Sequence, residues 1–203
     1  DYTLDSVSVD EFMWDFPRML VTFSAGNAGT DANANGVVDN DSIGAPGTAK
    51  NVLTVGASEN ARPRYTCAEA ADQTGTCTGT QNDIFTYGTA WPADFPAAPV
   101  STDRSAGNIQ QMAAFSSRGP TDDGRIKPDV VAPGTWILSG YSDMYQFNYD
   151  TQTNPQNGLA QYDGWGVPYN IDYKYMGGTS MSNPIAAGAA AVVRDYYTAI
   201  GNP

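Results

Sequence analysis

The chain has 203 residues, 41% of them hydrophobic, with 21 glycines and 13 prolines. That is enough apolar material for one ordinary domain with a core, and it argues against disorder. A formal net charge of −12 speaks against nucleic-acid binding; no apolar run is long enough to cross a bilayer, and no basic start followed by an apolar stretch marks an export signal within the chain.

Within SVSVDEFMWDFPRML, Val9, Phe12, Met13 and Phe16 fall at i, i+3, i+4 and i+7. This spacing predicts one apolar face of a helix that Pro17 terminates. MLVTFSA reads as a buried strand ending at Gly26-Asn27, and after a polar, Asp/Asn-rich loop NVLTVGA reads as a second. Residues 58–112 hold both cysteines and Pro63, Pro92, Pro96 and Pro99 with little periodicity. They are expected to form an irregular, insertion-rich surface region rather than a separate domain. PDVVAPGTWILSGY predicts a further strand, and residues 142–172, aromatic and Asn/Gln-rich, show no clear period. The last segment, GTSMSNPIAAGAAAVVRDYYTAI, is a helix apolar on nearly every side, a pattern expected of a helix buried in the middle of a domain. The expected fold class is therefore α/β, a mostly parallel sheet covered on both faces with a central helix carrying a serine.

Cys67 and Cys77 bracket the polar stretch CAEAADQTGTC. A disulfide closing this short loop is the simplest reading and would contribute about 2–3 kcal/mol; two free thiols are the other. Acidic composition and only three lysines, Lys50, Lys127 and Lys174, resemble salt-adapted extracellular proteins.

Gly178-Thr179-Ser180-Met181-Ser182-Asn183-Pro184 carries the chemistry. A serine in the first turn of a helix lies beside unpaired backbone N–H groups and the positive end of the helix dipole. Such donors can stabilise the oxyanion formed when the hydroxyl attacks a peptide carbonyl. Ser180 read blandly is a helix cap. A Gly-x-Ser-x-Gly elbow is excluded because Ser182 stands at its last position. Upstream, Ser24-Ala25-Gly26-Asn27-Ala28-Gly29 follows an apolar strand; Asn27 there either serves a turn or offers an amide at a strand end.

Together with NVLTVGASEN (51–60) and AAFSSRGPTDDGRIKPDVVAPG (113–134), these segments resemble in order the subtilisin-like serine proteases (subtilases, peptidase S8), from about residue 6 to 197. The wording SSRGP and GRIKPDVVAPG looks most like the larger alkaline bacterial members. The resemblance implies a partial subtilisin-like fold and a secreted, extracellular serine endopeptidase acting on proteins or peptides. Ser180 would be its nucleophile and Asn27 its oxyanion-hole amide. The family's catalytic Asp and His come from segments preceding the asparagine segment, yet 26 residues precede Asn27 here and no histidine occurs. Residues 1–203 are thus expected to be the C-terminal portion of a catalytic domain, nearly inactive alone and needing an N-terminal segment to supply Asp and His. A non-catalytic, calcium-stabilised subtilase relic or binding module is the alternative. Met181, beside the serine, is an expected oxidation-sensitive position.

Asp31, Asn33, Asn35, Asp39 and Asp41, with Gly36 at the turn, have a spacing similar to D-x-[DN]-x-[DN]-G calcium loops. They would wrap one structural Ca2+, although Ser42 replaces the usual glutamate; the other reading is a polar surface turn. The family resemblance implies a second cation position, formed by the carbonyls of Gly47, Ala49 and Val52 together with Asp129.

Overall fold

The computed structural model describes residues 1–66, 81–140, 167–169 and 173–202. The cysteine pair, and all of the 142–172 stretch except 167–169, lie outside the described residues.

Helix α1 (Leu4–Asp15) forms where predicted, and the Phe16 N–H closes it on the Phe12 carbonyl just before Pro17. Its attachment is polar rather than apolar. Ser6 is its buried residue, 2.9 Å from the Thr48 hydroxyl, and the Asp10 carboxylate accepts the N–H groups of Lys50 (2.8 Å) and Asn51 (2.7 Å). Of the expected apolar face, Val9 and Met13 are half-buried while Phe12 and Phe16 are exposed, their ring centroids 4.7 Å apart and the planes tilted by 33°.

Strands β1 (Thr22–Ser24), β2 (Leu53–Ser58) and β5 (Val130–Pro133) form a parallel sheet in the order β1-β2-β5, with Thr22 opposite Leu53 and Val55 opposite Val130. The central strand is the most buried, with Val55 and Ala57 fully enclosed, as a strand covered on both faces should be. Where one strand was expected over PDVVAPGTWILSGY, the chain breaks after Pro133. The Gly134 N–H donates to the Ser58 carbonyl, Trp136 adopts φ 53°, and β6 (Ile137–Gly140) starts a second sheet. There β6 pairs antiparallel with β8 (Tyr173–Met176), which pairs with β7 (Val167–Pro168).

The described parts of the 58–112 region, 58–66 and 81–112, hold more regular structure than their composition implies. Strands β3 (Arg64–Thr66) and β4 (Gln81–Asp83) pair antiparallel; a short helix α2 (Tyr87–Ala90) is capped by Thr86, and a 3-10 turn covers Val100–Thr102. Tyr87, Phe95 and Ala114 make a small core with Trp91, Val38, Val100 and Phe115 packed around it. The clustered aromatic rings supply what the missing periodicity did not reveal.

Helix α3 (Thr179–Ala199) packs across β1, β2 and β5. It is not buried all round. Thr179 and Ser182 are enclosed, whereas Val192, 70% exposed, Val193, Tyr196 and Tyr197 face water. One sheet covers one side of a helix, and an alanine-rich sequence with no polar face does not announce which side. Gly201, at φ 76°, ends the helix in a left-handed cap, with its N–H on the Thr198 carbonyl and that of Asn202 on Tyr197. Among the described residues, no helix is long and apolar enough to cross a membrane.

Candidate active site

The carboxyl ends of β1 and β5 converge on the amino end of α3. Gly134, directly after β5, accepts the Gly178 N–H at 2.7 Å. A Cβ on Gly134 would lie 2.2 Å from Ser182 Oγ and 2.5 Å from Ala57 Cβ, so the helix can approach β5 this closely only over glycine. Gly178, at φ 146° and ψ 161°, turns the chain into the helix. Thr179 is then buried as the first helical residue, and Ser180 stands exposed as the second. The first amides of an α-helix lack intrahelical acceptors and carry the positive end of its dipole.

Asn27 reaches the same place from β1. The strand pairing continues to Ala25, whose N–H donates to Val55, and Gly26 then turns at φ 103°. The turn is clamped from outside: Ser117 N–H donates to the Gly26 carbonyl (2.9 Å), Ala28 N–H to Ser117 Oγ (3.0 Å) and Gly29 N–H to the Phe115 carbonyl (2.9 Å). From this turn the Asn27 side-chain carbonyl accepts the Thr179 N–H at 2.8 Å and the Thr179 hydroxyl at 3.0 Å. Both donors require the oxygen of the amide, so its NH2 end is turned away from Thr179 with two N–H groups to offer. That nitrogen lies 3.3 Å from where a Cβ on Gly178 would stand. Ser180 and Asn27 are thus brought together, joined through one residue.

Thr179 and Gly134 are the members of this arrangement that sequence reading missed. The Thr179 hydroxyl also lies 3.3 Å from the Gly26 N–H, and its carbonyl accepts Ser24 Oγ at 3.1 Å. The signal available was its place inside Gly178-Thr179-Ser180. The chain contains no histidine.

At the two expected cation positions the oxygens make hydrogen bonds within the chain. Asp31 is fully buried, but its two carboxylate oxygens accept the N–H groups of Asn35 and Gly36, each at 2.9 Å. Asp39 accepts Ala32 N–H (2.8 Å) and Asn33 Nδ2 (2.7 Å), Asn35 Oδ1 accepts Val37 N–H (2.8 Å), and the Asp41 backbone N–H donates to the Gly119 carbonyl (3.2 Å). The oxygens spaced for an ion close the loop on its own donors. Among the described residues, no group of three or more acidic, histidine or cysteine side chains is placed to hold a metal.

At the second position, the Gly47 carbonyl accepts Thr54 Oγ1 (2.7 Å) and the Ala49 carbonyl accepts Arg125 Nη1 (3.4 Å). Lys127 Nζ donates to the Val52 carbonyl (3.2 Å) and to Asp129 Oδ2 (2.6 Å). These groups do not fit a metal ion, because an ammonium already stands among them.

Away from the helix terminus, Glu59 is buried at the end of β2, accepting the Tyr87 hydroxyl (2.8 Å) and the Asn108 N–H (3.1 Å). Burial pushes its carboxyl above the ordinary 4.5, and burial likewise raises the Tyr87 phenol.

The chain matches the family model described as the Subtilase family over residues 3–202. It is similar to the serine protease/ABC transporter B family protein tagB of Dictyostelium discoideum, at 28% identity over 96% of this chain and 10% of that protein. It is also similar to the serine protease AprX of Bacillus subtilis, at 27% identity over 86% of this chain and 26% of that protein. With the subtilisin-like protease SBT3 of Solanum lycopersicum it shares 38% identity over 41% of this chain and 10% of that protein. The chain therefore spans about a tenth to a quarter of these relatives' lengths. The match from residue 3 to 202, together with a parallel sheet and the helix packed on it, leads to one conclusion: the chain belongs to the subtilase family.

Proposed function

We propose that residues 1–203 are the serine-bearing, C-terminal portion of the catalytic domain of a secreted endopeptidase. The observation that carries this reading is the double hydrogen bond from Thr179 to Asn27 Oδ1, which turns the amide NH2 away from Thr179 at the amino end of the helix that carries Ser180. In the complete enzyme Ser180 Oγ bonds to the substrate carbonyl carbon as its proton passes to a histidine from an N-terminal segment, which an aspartate orients. The carbonyl oxygen becomes an oxyanion held by Asn27 Nδ2 and the Ser180 N–H. The C–N bond then breaks, the amine leaves with the proton, and water releases the acyl group. Without the base, a serine hydroxyl is a poor nucleophile, so this chain alone is expected to be nearly inactive.

The absence of histidine favours a second reading, a non-catalytic relic that acts as a binding module. Fluorophosphonate labelling separates the two. Ser180 should label when an N-terminal subtilase part carrying Asp and His is supplied, and far more slowly without it, while Ser180→Ala stays unlabelled. No labelling under either condition would leave only the binding module.

A further inference from the structure

We propose that the ammonium group of Lys127 takes the place of a metal ion at the junction of β2 and β5, so that the chain carries this cation covalently. The pocket has the chemistry of a cation site. The Val52 carbonyl and the Asp129 carboxylate converge on one point, and Lys127 Nζ fills it, donating to both. Lys127 is 6% exposed; an ammonium so enclosed is tolerated only when paired and hydrogen-bonded.

The surroundings are arranged for a positive charge and leave no room for another. Asp129 is fixed from three directions: its Oδ2 also accepts the Thr54 N–H (2.7 Å), and its own N–H donates to the Thr54 carbonyl (2.9 Å). The neighbouring carbonyls of Thr48 and Ala49 are covered by the Arg125 guanidinium at 2.7 and 3.4 Å. An added ion would meet two like charges at contact range, where repulsion is strongest. The lysine stem thus performs the task of a bound ion: it neutralises Asp129 and ties the chain entering β2, through Val52, to the segment leading into β5. No chelator can remove it.

Two measurements on the 203-residue chain test this. In the wild type, the Lys127 ammonium resonance in a proton–nitrogen spectrum should be protected from exchange and unmoved by calcium chloride. Lys127→Met, which keeps the stem and removes the charge, should melt several degrees lower. Because it opens the pocket, calcium at about a hundredfold above its dissociation constant should raise that melting temperature by roughly 5–10 °C. The added substitution Asp129→Asn should abolish the calcium response and so locate it. A folded Lys127→Met chain indifferent to calcium would overturn the proposal. So would displacement of the wild-type Lys127 resonance by calcium, a result available even if the variant does not fold.

Discussion

The side-chain carbonyl of Asn27 accepts hydrogen bonds from the Thr179 N–H at 2.8 Å and from the Thr179 hydroxyl at 3.0 Å. Two donors on one oxygen fix the rotation of the amide plane, and the amide's own N–H groups are aimed before any substrate arrives. Thr179→Val removes the hydroxyl and keeps the N–H. In an enzyme completed with its N-terminal part, acylation of Ser180 by a fluorophosphonate should slow by about tenfold. The melting temperature should fall by the equivalent of about 1 kcal/mol, the usual worth of one such bond.

Asn27→Ala should act on rate far more than on substrate binding. Losing one oxyanion donor of this kind costs about 10²–10³ in kcat, and KM should stay within a fewfold. Steady-state kinetics on a peptide substrate separate the two. A rise in KM at constant kcat would place Asn27 in ground-state binding instead.

Gly134 and Ser182 form a packed pair whose two substitutions should have opposite signs. Gly134→Ala drives a methyl to 2.2 Å from Ser182 Oγ and should destabilise by about 1–3 kcal/mol, as overpacking does. Ser182 Oγ is buried with no hydrogen-bond partner among the described residues. Ser182→Ala removes that unsatisfied group and should stabilise by about 1 kcal/mol. Chemical denaturation of both variants checks the pair.

Glu59 should make stability fall as pH rises. Its carboxyl is pushed above 4.5 by burial, so the folded chain holds its proton at pH values where the unfolded chain has released it. The folded state is therefore favoured below the unfolded value and loses that advantage as pH climbs through the raised one. Glu59→Gln keeps a polar group beside Tyr87 and Asn108 but cannot ionise. Its melting temperature should decline less than that of the wild type across the mildly acidic range, from about pH 4 upward.

How much of this could be read from the sequence depends on whether the decisive partner is near or far along the chain. Asn27 follows a turn at a strand end and Ser180 opens a helix, each with its own local wording, and Thr179 links the two. Thr179 was passed over because its role depends on a residue 152 positions away. The loop at 31–41 has the residue types and spacing of a cation loop, but spacing does not tell which backbone N–H groups its carboxylates accept; Asp31 accepts those of Asn35 and Gly36. Lys127 lies two positions before Asp129, in plain view. Its meaning appears only once the Val52 carbonyl is brought against it. Helix α3 was placed correctly yet expected to be enclosed, since a run of alanines carries no polar stripe to mark the side left open. The break between β5 and β6 follows from the close approach of α3 to Gly134, a tertiary demand on an otherwise continuous apolar run.

The open flank of α3 sets valines and tyrosines in water on a molecule of net charge −12. Self-repulsion keeps such molecules apart in dilute buffer, and dissolved salt works against it twice. Screening shortens the reach of the charges, and excluded salts such as sulfate strengthen apolar contact. In the isolated chain, ammonium sulfate should drive clumping at concentrations where Val192→Lys or Tyr196→Lys keeps the solution clear, a difference that static light scattering can read.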